Sequence, residues 1–550
     1  MLISLLITVF RMVVLPVEFE DRQFAQSRTK LQQEVQEVQA YFDRQFARGT
    51  AGAPAQTFRF DLAPTQRLPH PIAWYGGNRP EQCDVRLADA VREACAGAAD
   101  KGKVDFGLYD NDADGSVDVV CLLFPGPGEE AGGEPDDIWP QMGWLSAGGG
   151  TRPTHGGKRI DRFIAVPDGR TGIFAHEFGH ALGLPDLYDT DGEASGGTTR
   201  GLWGISLMDE GCKGATIPDF TAIEYELLGL GRCDTLRTGS YVFAPLCEGG
   251  GYGKILTDRE GECFLLEARE GGLLVYHIDR SEAPTGFCER LNAEVTARER
   301  CENGAVNDKP EHPCARILPA DPAATTVGGA VFPQGGLSSL GSDTPVALRG
   351  WSGQAPALAL TGIRVDADGV VRFEALEPVV LTDLTVYQDA AIVRWQAAER
   401  LAVAGFEVRW TDGTDTFSEE LPPTATSFTI EGLRPQTAYS VTVLLRCAGS
   451  DRFSAGERFV TKVYRAGTYP YIYLNGVPRN VDGSFPAGCK LALRVFNATD
   501  VAEVHWSMDG VPVKPEADGR YTLTRSGLLC ARILHTDGTS ESIFKEITVQ

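Results

Sequence analysis

The chain has 550 residues, 75 acidic against 51 basic side chains for a formal charge of −24, and 13 cysteines. That length exceeds what one hydrophobic core holds, so three or four domains are expected. The negative charge argues against a nucleic-acid or anionic-membrane partner, and no stretch reaches the ~18 apolar residues that span a bilayer.

At the N-terminus, Leu2 to Phe10 is apolar and reads as the remnant of a signal-peptide core. It lacks a basic n-region and a small-residue cleavage site. The expectation is a soluble chain with a truncated start, secreted or held at a cell surface. Met12 to Phe19 reads as a strand. Leu31, Val35, Val38, Phe42 and Phe46 then recur at helical spacing, and Gly49 is the stop. Phe58 to Leu62 reads as a short strand, Leu68 to Asn78 as a loop with a structural His70, and Val85 to Ala98 as a second helix.

Asp110, Asp112 and Asp114 alternate, Gly115 permits a sharp turn, and Asp118 follows. Hard oxygen ligands at this spacing suit calcium. The Glu that closes an EF-hand is missing, because Cys121 stands there, and Val119 to Phe124 reads as a buried strand. The bland alternative is a solvated acidic turn, although four carboxylates so close repel without a cation. Gly126 to Gly150 reads as a long surface loop anchored by Ile138-Trp139-Pro140, and Arg162 to Pro167 as the edge strand beside a cleft.

The most informative stretch is Gly172 to Asp189, GIFAHEFGHALGLPDLYD. Residues four apart share one helix face, so His176 and His180 can hold one metal ion. Imidazole suits zinc, and a catalytic zinc keeps three protein ligands plus a water. Glu177 is one step round from His176 and can reach that water. Gly183 ends the helix, Pro185 prevents its resumption, and the chain can then present Asp186 as the third ligand. This resembles the metzincin layout, with Asp in place of a third His. The competing layout takes its third ligand from a later helix, at Glu224 or Glu226. A chance HExxH on a core helix is the bland reading.

Met208, in the turn SLMDEG, matches a Met-turn beneath the metal, although a plain core methionine is the alternative. Pro218 to Leu230 reads as the last helix of the catalytic unit, and its Tyr225 is a candidate second electrophile. Glu262 to Asp279 reads as two apolar strands, with His277 a hydrogen-bonded core residue. Cys288, Cys301 and Cys314 bracket a charged loop where a local disulfide fits. No cysteine lies in a CxxC pair, so a zinc ribbon is excluded; disulfides and buried free thiols both stay open.

From about Pro378 short strands recur regularly. Trp395 followed by Leu433-x-Pro435-x-x-x-Tyr439 resembles a fibronectin type III module with its tyrosine corner. The segment from Val463 to Gln550 resembles an Ig-like domain.

HEFGHALGLPDLYD, DNDADGSVD, SLMDEG and FLLEAREGGLLVYHID together resemble the immune inhibitor A family of secreted bacterial metallopeptidases, over about Met12 to Leu376. The resemblance implies a zinc endopeptidase acting on protein or peptide substrates, with structural calcium. His176, His180 and Asp186 would be zinc ligands, Glu177 the general base and Met208 the Met-turn residue. Ala113 stands where the family commonly has Gly, and the chain starts almost at the first catalytic strand.

The fold class expected is multidomain. It comprises an α/β (α+β) metzincin-like zinc peptidase domain at 1–235, a β-rich extension at 236–376, and two all-β sandwich domains at 377–462 and 463–550. The alternative function is a cell-surface adhesion protein with a structural or vestigial zinc site, its β-domains meeting a cell surface or glycoprotein. The retained Glu177 favours the enzyme.

Overall fold

The structure is a computed structural model describing residues 9–49, 56–79, 83–100, 102–387, 389–449, 451–462, 470–475, 484–496, 498–517 and 520–550. Residues 2–8 of the signal-like run lie outside the described residues, and Val9 and Phe10 belong to the first strand. The chain divides into two compact units. One is Met1–Ser338 with Arg349–Pro356 and Leu360–Ala375; the other is Ser339–Leu348, Ala357–Ala359 and Leu376–Gln550.

The first unit is built on a sheet in the order Thr57–Leu62, Val9–Glu18, Val120–Phe124, Arg162–Pro167, Gln141–Trp144. Its first four strands run parallel and the last antiparallel. Parallel strands covered on both faces must be apolar throughout, and VVLPVE and VCLLF show why these segments sit in the middle. Side chains alternate between faces. Phe10, Met12, Val14, Cys121, Leu123, Ile164 and Val166 face one core, with the helices Arg28–Gly49 and Thr171–Leu182. Val13, Leu15, Val17, Val120, Leu122 and Phe124 face the other, against the helix Leu87–Ala99.

The edge strand differs from expectation. Arg162–Pro167 is covered by Gln141–Trp144, a strand inside the stretch read as a loop. Four residues centred on a glycine carry too little apolar pattern to announce a strand. Gly143 is needed because a Cβ there would come within 2.7 Å of the Phe163 ring. The anchor holds as expected at Ile138, which is buried, while Trp139 is half-exposed.

The helix Thr171–Leu182 has two jobs on two faces. Phe178 is buried, its ring 4.9 Å from both Phe42 and Phe60, 5.7 Å from Phe10 and 5.8 Å from Phe58. Two residues along a helix is a rotation of about 200°, so anchoring Phe178 turns His176 and His180 the opposite way.

Beside this lies a sheet ordered Cys233–Thr235, Tyr252–Leu256, Glu262–Arg269, Gly272–Asp279, Ala315–Ile317. Glu267 ties it to the helix Ala222–Leu228 by accepting from Ala222 N at 2.6 Å. His277 is fully buried, with Nε2 2.7 Å from Glu262 Oε1 and Nδ1 3.2 Å from Arg316, the core role expected of it. All thirteen cysteines are free thiols, so the local disulfide expected among Cys288, Cys301 and Cys314 is not formed. Cys288 and Cys314 are instead buried, and Cys301 Sγ donates to Asp279 O at 3.6 Å.

In the second unit, Val379–Val386, Ala390–Ala397 and Ser427–Glu431 form one sheet, and Thr416–Leu421, Val403–Thr411, Ala438–Cys447 and Arg452–Val460 another. Trp395 is buried between them, and the Tyr439 hydroxyl accepts from Arg434 N at 3.0 Å, forming the tyrosine corner. Beyond residue 470 two further sheets of three and four strands share a smaller core around Leu491, Leu523 and Leu529.

Truncating Phe178 removes a ring from the densest aromatic cluster of the first unit. Phe178→Ala should cost that unit about 3–5 kcal/mol, read as a lowered midpoint in urea, and should weaken metal binding because the helix loses its anchor. A midpoint within error of wild type would show that the cluster does not hold the helix.

Candidate metal centre

The HExxH helix ends at Gly183, whose φ of 102° lies in the left-handed region. Its N–H reaches the carbonyls of Gly179 and His180, and Leu184 N donates to Gly179 O at 3.1 Å. This is the glycine-capped stop expected from sequence. The chain then folds back through Pro185 and brings Asp186 Oδ1 to 3.2 Å from the Nε2 atoms of both His176 and His180. The two Nε2 atoms are themselves 3.1 Å apart.

Backbone carbonyls fix the tautomers. His176 Nδ1 lies 2.9 Å from Leu207 O, and His180 Nδ1 lies 2.8 Å from Leu184 O. A carbonyl only accepts, so each Nδ1 carries the proton and each Nε2 presents a lone pair. Two lone pairs and a carboxylate oxygen therefore face one another, and Asp186 Oδ1 is buried without a hydrogen-bond donor. Ligands about 2.0–2.1 Å from a tetrahedral zinc stand about 3.3 Å apart. The donor set and its spacing fit that ion.

The electrostatics point the same way. Burial pushes the His176 pKa down, but Asp186 beside it outweighs burial and holds it well up. Burial would raise Asp186, and the two imidazoles hold it well below the usual carboxylate range. The pocket favours positive charge between these groups. Glu177 is buried next to them, its Oε2 without a partner, and burial raises its pKa against the pull of both histidines.

Met208 packs against the helix at Gly179. It is fully buried, and a Cβ on Gly179 would come within 2.7 Å of its Sδ. Leu187 N donates to Met208 O at 2.7 Å, so the turn holds both the segment after Asp186 and, through Leu207 O, His176.

Three sequence candidates lie elsewhere. The Tyr225 hydroxyl is buried 3.2 Å from both Gln45 O and Gln45 Oε1, so it braces the helix Arg28–Gly49 and does not reach the cleft. The group in that position is Tyr188, which sequence reasoning passed over. Its ring lies 6.3 Å from that of His176, and burial, then the charges of Asp186 and Glu177, push its pKa up, keeping it a neutral donor. Glu224 and Glu226 are already engaged. Glu224 closes the capping box with Thr221 and bonds Ser206, while Glu226 pairs with Lys254 and Tyr252.

The acidic loop is partly as expected. Asp110, Asp112 and Asp114 bring carboxylate oxygens within 4.8 Å of one another. Asp118 stands apart, its Oδ2 accepting from Asn111 N at 2.8 Å and Asn111 Nδ2 at 3.0 Å. Lys158 Nζ already pairs with Asp110 Oδ2 at 2.5 Å, leaving Asp110 Oδ1 buried and unpartnered. Ala113 adopts φ 62°, where a side chain costs about 1–2 kcal/mol.

A cleft of about 660 Å³ opens over His176, Glu177, His180 and Asp186, walled by Trp139, Trp144, Tyr188, Ile223, Ile278 and Val306. A covered parallel sheet, a two-histidine helix with an adjacent buried glutamate, and a carboxylate returned to the histidines beyond the helix stop form a candidate metal centre of the kind a metallopeptidase uses.

Residues 16–226 match the family model "Immune inhibitor A peptidase M6, catalytic domain". Residues 378–458 match the fibronectin type III domain. Among curated relatives, immune inhibitor A of Bacillus thuringiensis subsp. alesti is 38% identical over 125 residues, 19% of this chain and 18% of that protein. The pre-pro-metalloprotease PrtV of Vibrio cholerae serotype O1 (strain M66-2) is 32% identical over 150 residues, 22% of this chain and 16% of that protein. The matches thus span under a fifth of either relative's length. A solved fn3 domain of human collagen alpha-1(XX) chain is 28% identical, covering 16% of this chain and 83% of that one, with a TM-score of 0.14.

Asp186→Ala should lower zinc affinity more than about 100-fold, whereas Glu224→Gln and Glu226→Gln stay within a few-fold, in titrations against a competing chelator. Zinc loss in a Glu variant with Asp186→Ala intact would move the third ligand to the later helix.

Proposed function

We propose that this chain is a zinc-dependent endopeptidase that hydrolyses peptide bonds of protein substrates outside the cell. The observation that carries the proposal is Glu177, a buried carboxylate with a free oxygen beside three converging metal ligands. A structural zinc site has no use for it. A zinc ion held by His176, His180 and Asp186 would supply Lewis acidity, lowering the pKa of a bound water to ~7 and polarising the scissile carbonyl. Glu177 would take a proton from the attacking water and pass it to the leaving amine. Tyr188 donates to the oxygen on which negative charge develops. Trp139, Trp144 and Ile278 line the cleft and offer apolar surface to a bound peptide.

The third ligand three residues after Gly183 and the buried Met208 support a metzincin-like arrangement. We assign the peptidase to residues 1–235, its extension to 236–376, and binding or spacing roles to the fibronectin type III segment and an Ig-like segment at 463–550. An extracellular site of action accords with the precursor name that the Vibrio relative bears. No helix among the described residues is long and apolar enough to cross a membrane. Calcium at Asp110, Asp112 and Asp114 is the reading of the acidic loop, supported by the unpartnered Asp110 Oδ1; Asp118 then shapes the loop through Asn111.

Glu177→Gln should keep zinc near one equivalent and lose proteolysis of a casein-type substrate by several orders of magnitude. Tyr188→Phe should lower kcat by about 10–1000-fold with KM little changed. Near-wild-type turnover in the Gln variant would end the general-base assignment.

Calcium should raise the melting temperature with the logarithm of its excess over Kd, and Asp112→Ala with Asp114→Ala should reduce that response. A wild-type melting temperature indifferent to calcium would leave the loop a solvated turn.

A further inference from the structure

A second acidic cluster draws on the loop that follows the candidate metal ligands. Asp189, Asp191 and Asp308 bring carboxylate oxygens within 4.8 Å of one another. Asp189 and Asp191 sit on the loop that follows Asp186 and Tyr188, and Asp308 comes from the extension. The loop is wrapped around its own carboxylate. Asp189 Oδ1 accepts from Asp191 N at 3.2 Å and Gly192 N at 3.0 Å, and Oδ2 from Thr199 N at 2.7 Å.

Asp308 supplies the second, independent observation. Its side chain is 0% exposed. Oδ1 accepts from Thr190 N at 3.0 Å and Thr190 Oγ1 at 2.7 Å, but Oδ2 has no hydrogen-bond partner. The Arg290 guanidinium stands 3.9 Å from Oδ2, with Nη1 donating instead to Thr190 Oγ1 and Gly304 O. Asp191 Oδ1 and Thr199 Oγ1 are also buried and unpartnered. A buried acceptor without a donor is costly, and a buried charge more so. Three carboxylates round one point, with one loosely placed guanidinium beside them, call for a further cation.

We propose that Asp189, Asp191 and Asp308 bind a divalent cation of the calcium type. The donors are all oxygens, and two of them ride on a glycine-rich loop that can adapt its geometry, as calcium sites do and magnesium sites do not. The ion joins the loop after the zinc ligand to the segment of the extension whose Gly304 and Val306 line the cleft. Asn307 already clamps the same junction by donating to Leu187 O at 2.8 Å. The ion therefore sets one cleft wall against Tyr188 and Asp186. Calcium would then act at this position independently of the loop at Asp110.

The test reads bound calcium, so it does not depend on the peptidase reading. Equilibrium dialysis with elemental analysis counts calcium on the zinc-loaded full chain. Asp308→Asn keeps the Oδ1 acceptor and the side-chain shape, and Asp191→Asn changes a more accessible position should the first variant fold poorly. Each should lose one equivalent, or bind it at least ~10-fold more weakly, while Asp112→Asn with Asp114→Asn retains it. In calcium, cleavage of the 190–200 loop by an added protease should slow in the wild type and not in either single variant. Wild-type stoichiometry and affinity in both single variants would overturn the proposal, as would calcium binding that vanishes entirely in the Asp112 and Asp114 variant.

Discussion

Three electron-pair donors held within 3.2 Å of one another are the constraint around which the first unit is arranged. Two imidazole nitrogens and a carboxylate oxygen do not stay together unaided. Here the backbone holds them: Leu207 O and Leu184 O take the far nitrogens, and the glycine stop at Gly183 returns the chain to present Asp186. Each device belongs to a different segment. The helix, its cap and the Met208 turn must all be in place before the ligands converge, which makes metal binding a readout of the folded unit.

The surroundings fix which groups meet the cleft. Phe178 faces the aromatic cluster of the sheet and so commits the opposite helix face to the cleft. Glu224 is spent on capping the helix Ala222–Leu228 and steadying Ser206, which in turn accepts from Met208 N at 3.0 Å. Acidic groups around the candidate centre thus divide: Asp186 faces the two imidazoles, Glu224 is spent on architecture, and Glu177 keeps an unpartnered oxygen. Burial separates Glu177 from the others, because it raises the proton affinity of a carboxylate that has no hydrogen-bond donor on Oε2.

What could be read in advance was local. The HExxH pair, the glycine stop, Asp186 and Met208 are legible because helix periodicity and turn chemistry act over a few residues. The stripe Leu31, Val35, Val38, Phe42, Phe46 is legible for the same reason, and every one of these residues is buried. Contacts between distant segments were not. Tyr225 looked suitable on its helix, yet its partner, Gln45, lies 180 residues earlier. Tyr188 carries no periodic signal inside a loop and becomes visible only once the loop closes over His176. Asp308 joins Asp189 and Asp191 across an interval of 118 residues from Thr190. The edge strand Gln141–Trp144 is stabilised by pairing with Arg162–Pro167, a tertiary contact that overrides a glycine-rich composition.

The central claim is the ligand set His176, His180 and Asp186. X-ray absorption at the zinc edge of the full-length protein tests it most directly. The expected spectrum has two imidazole nitrogens and oxygen neighbours at about 2.0–2.1 Å, with the oxygen contribution reduced in Asp186→Ala. A sulfur shell at about 2.3 Å, or a spectrum unaltered by that substitution, would contradict the account.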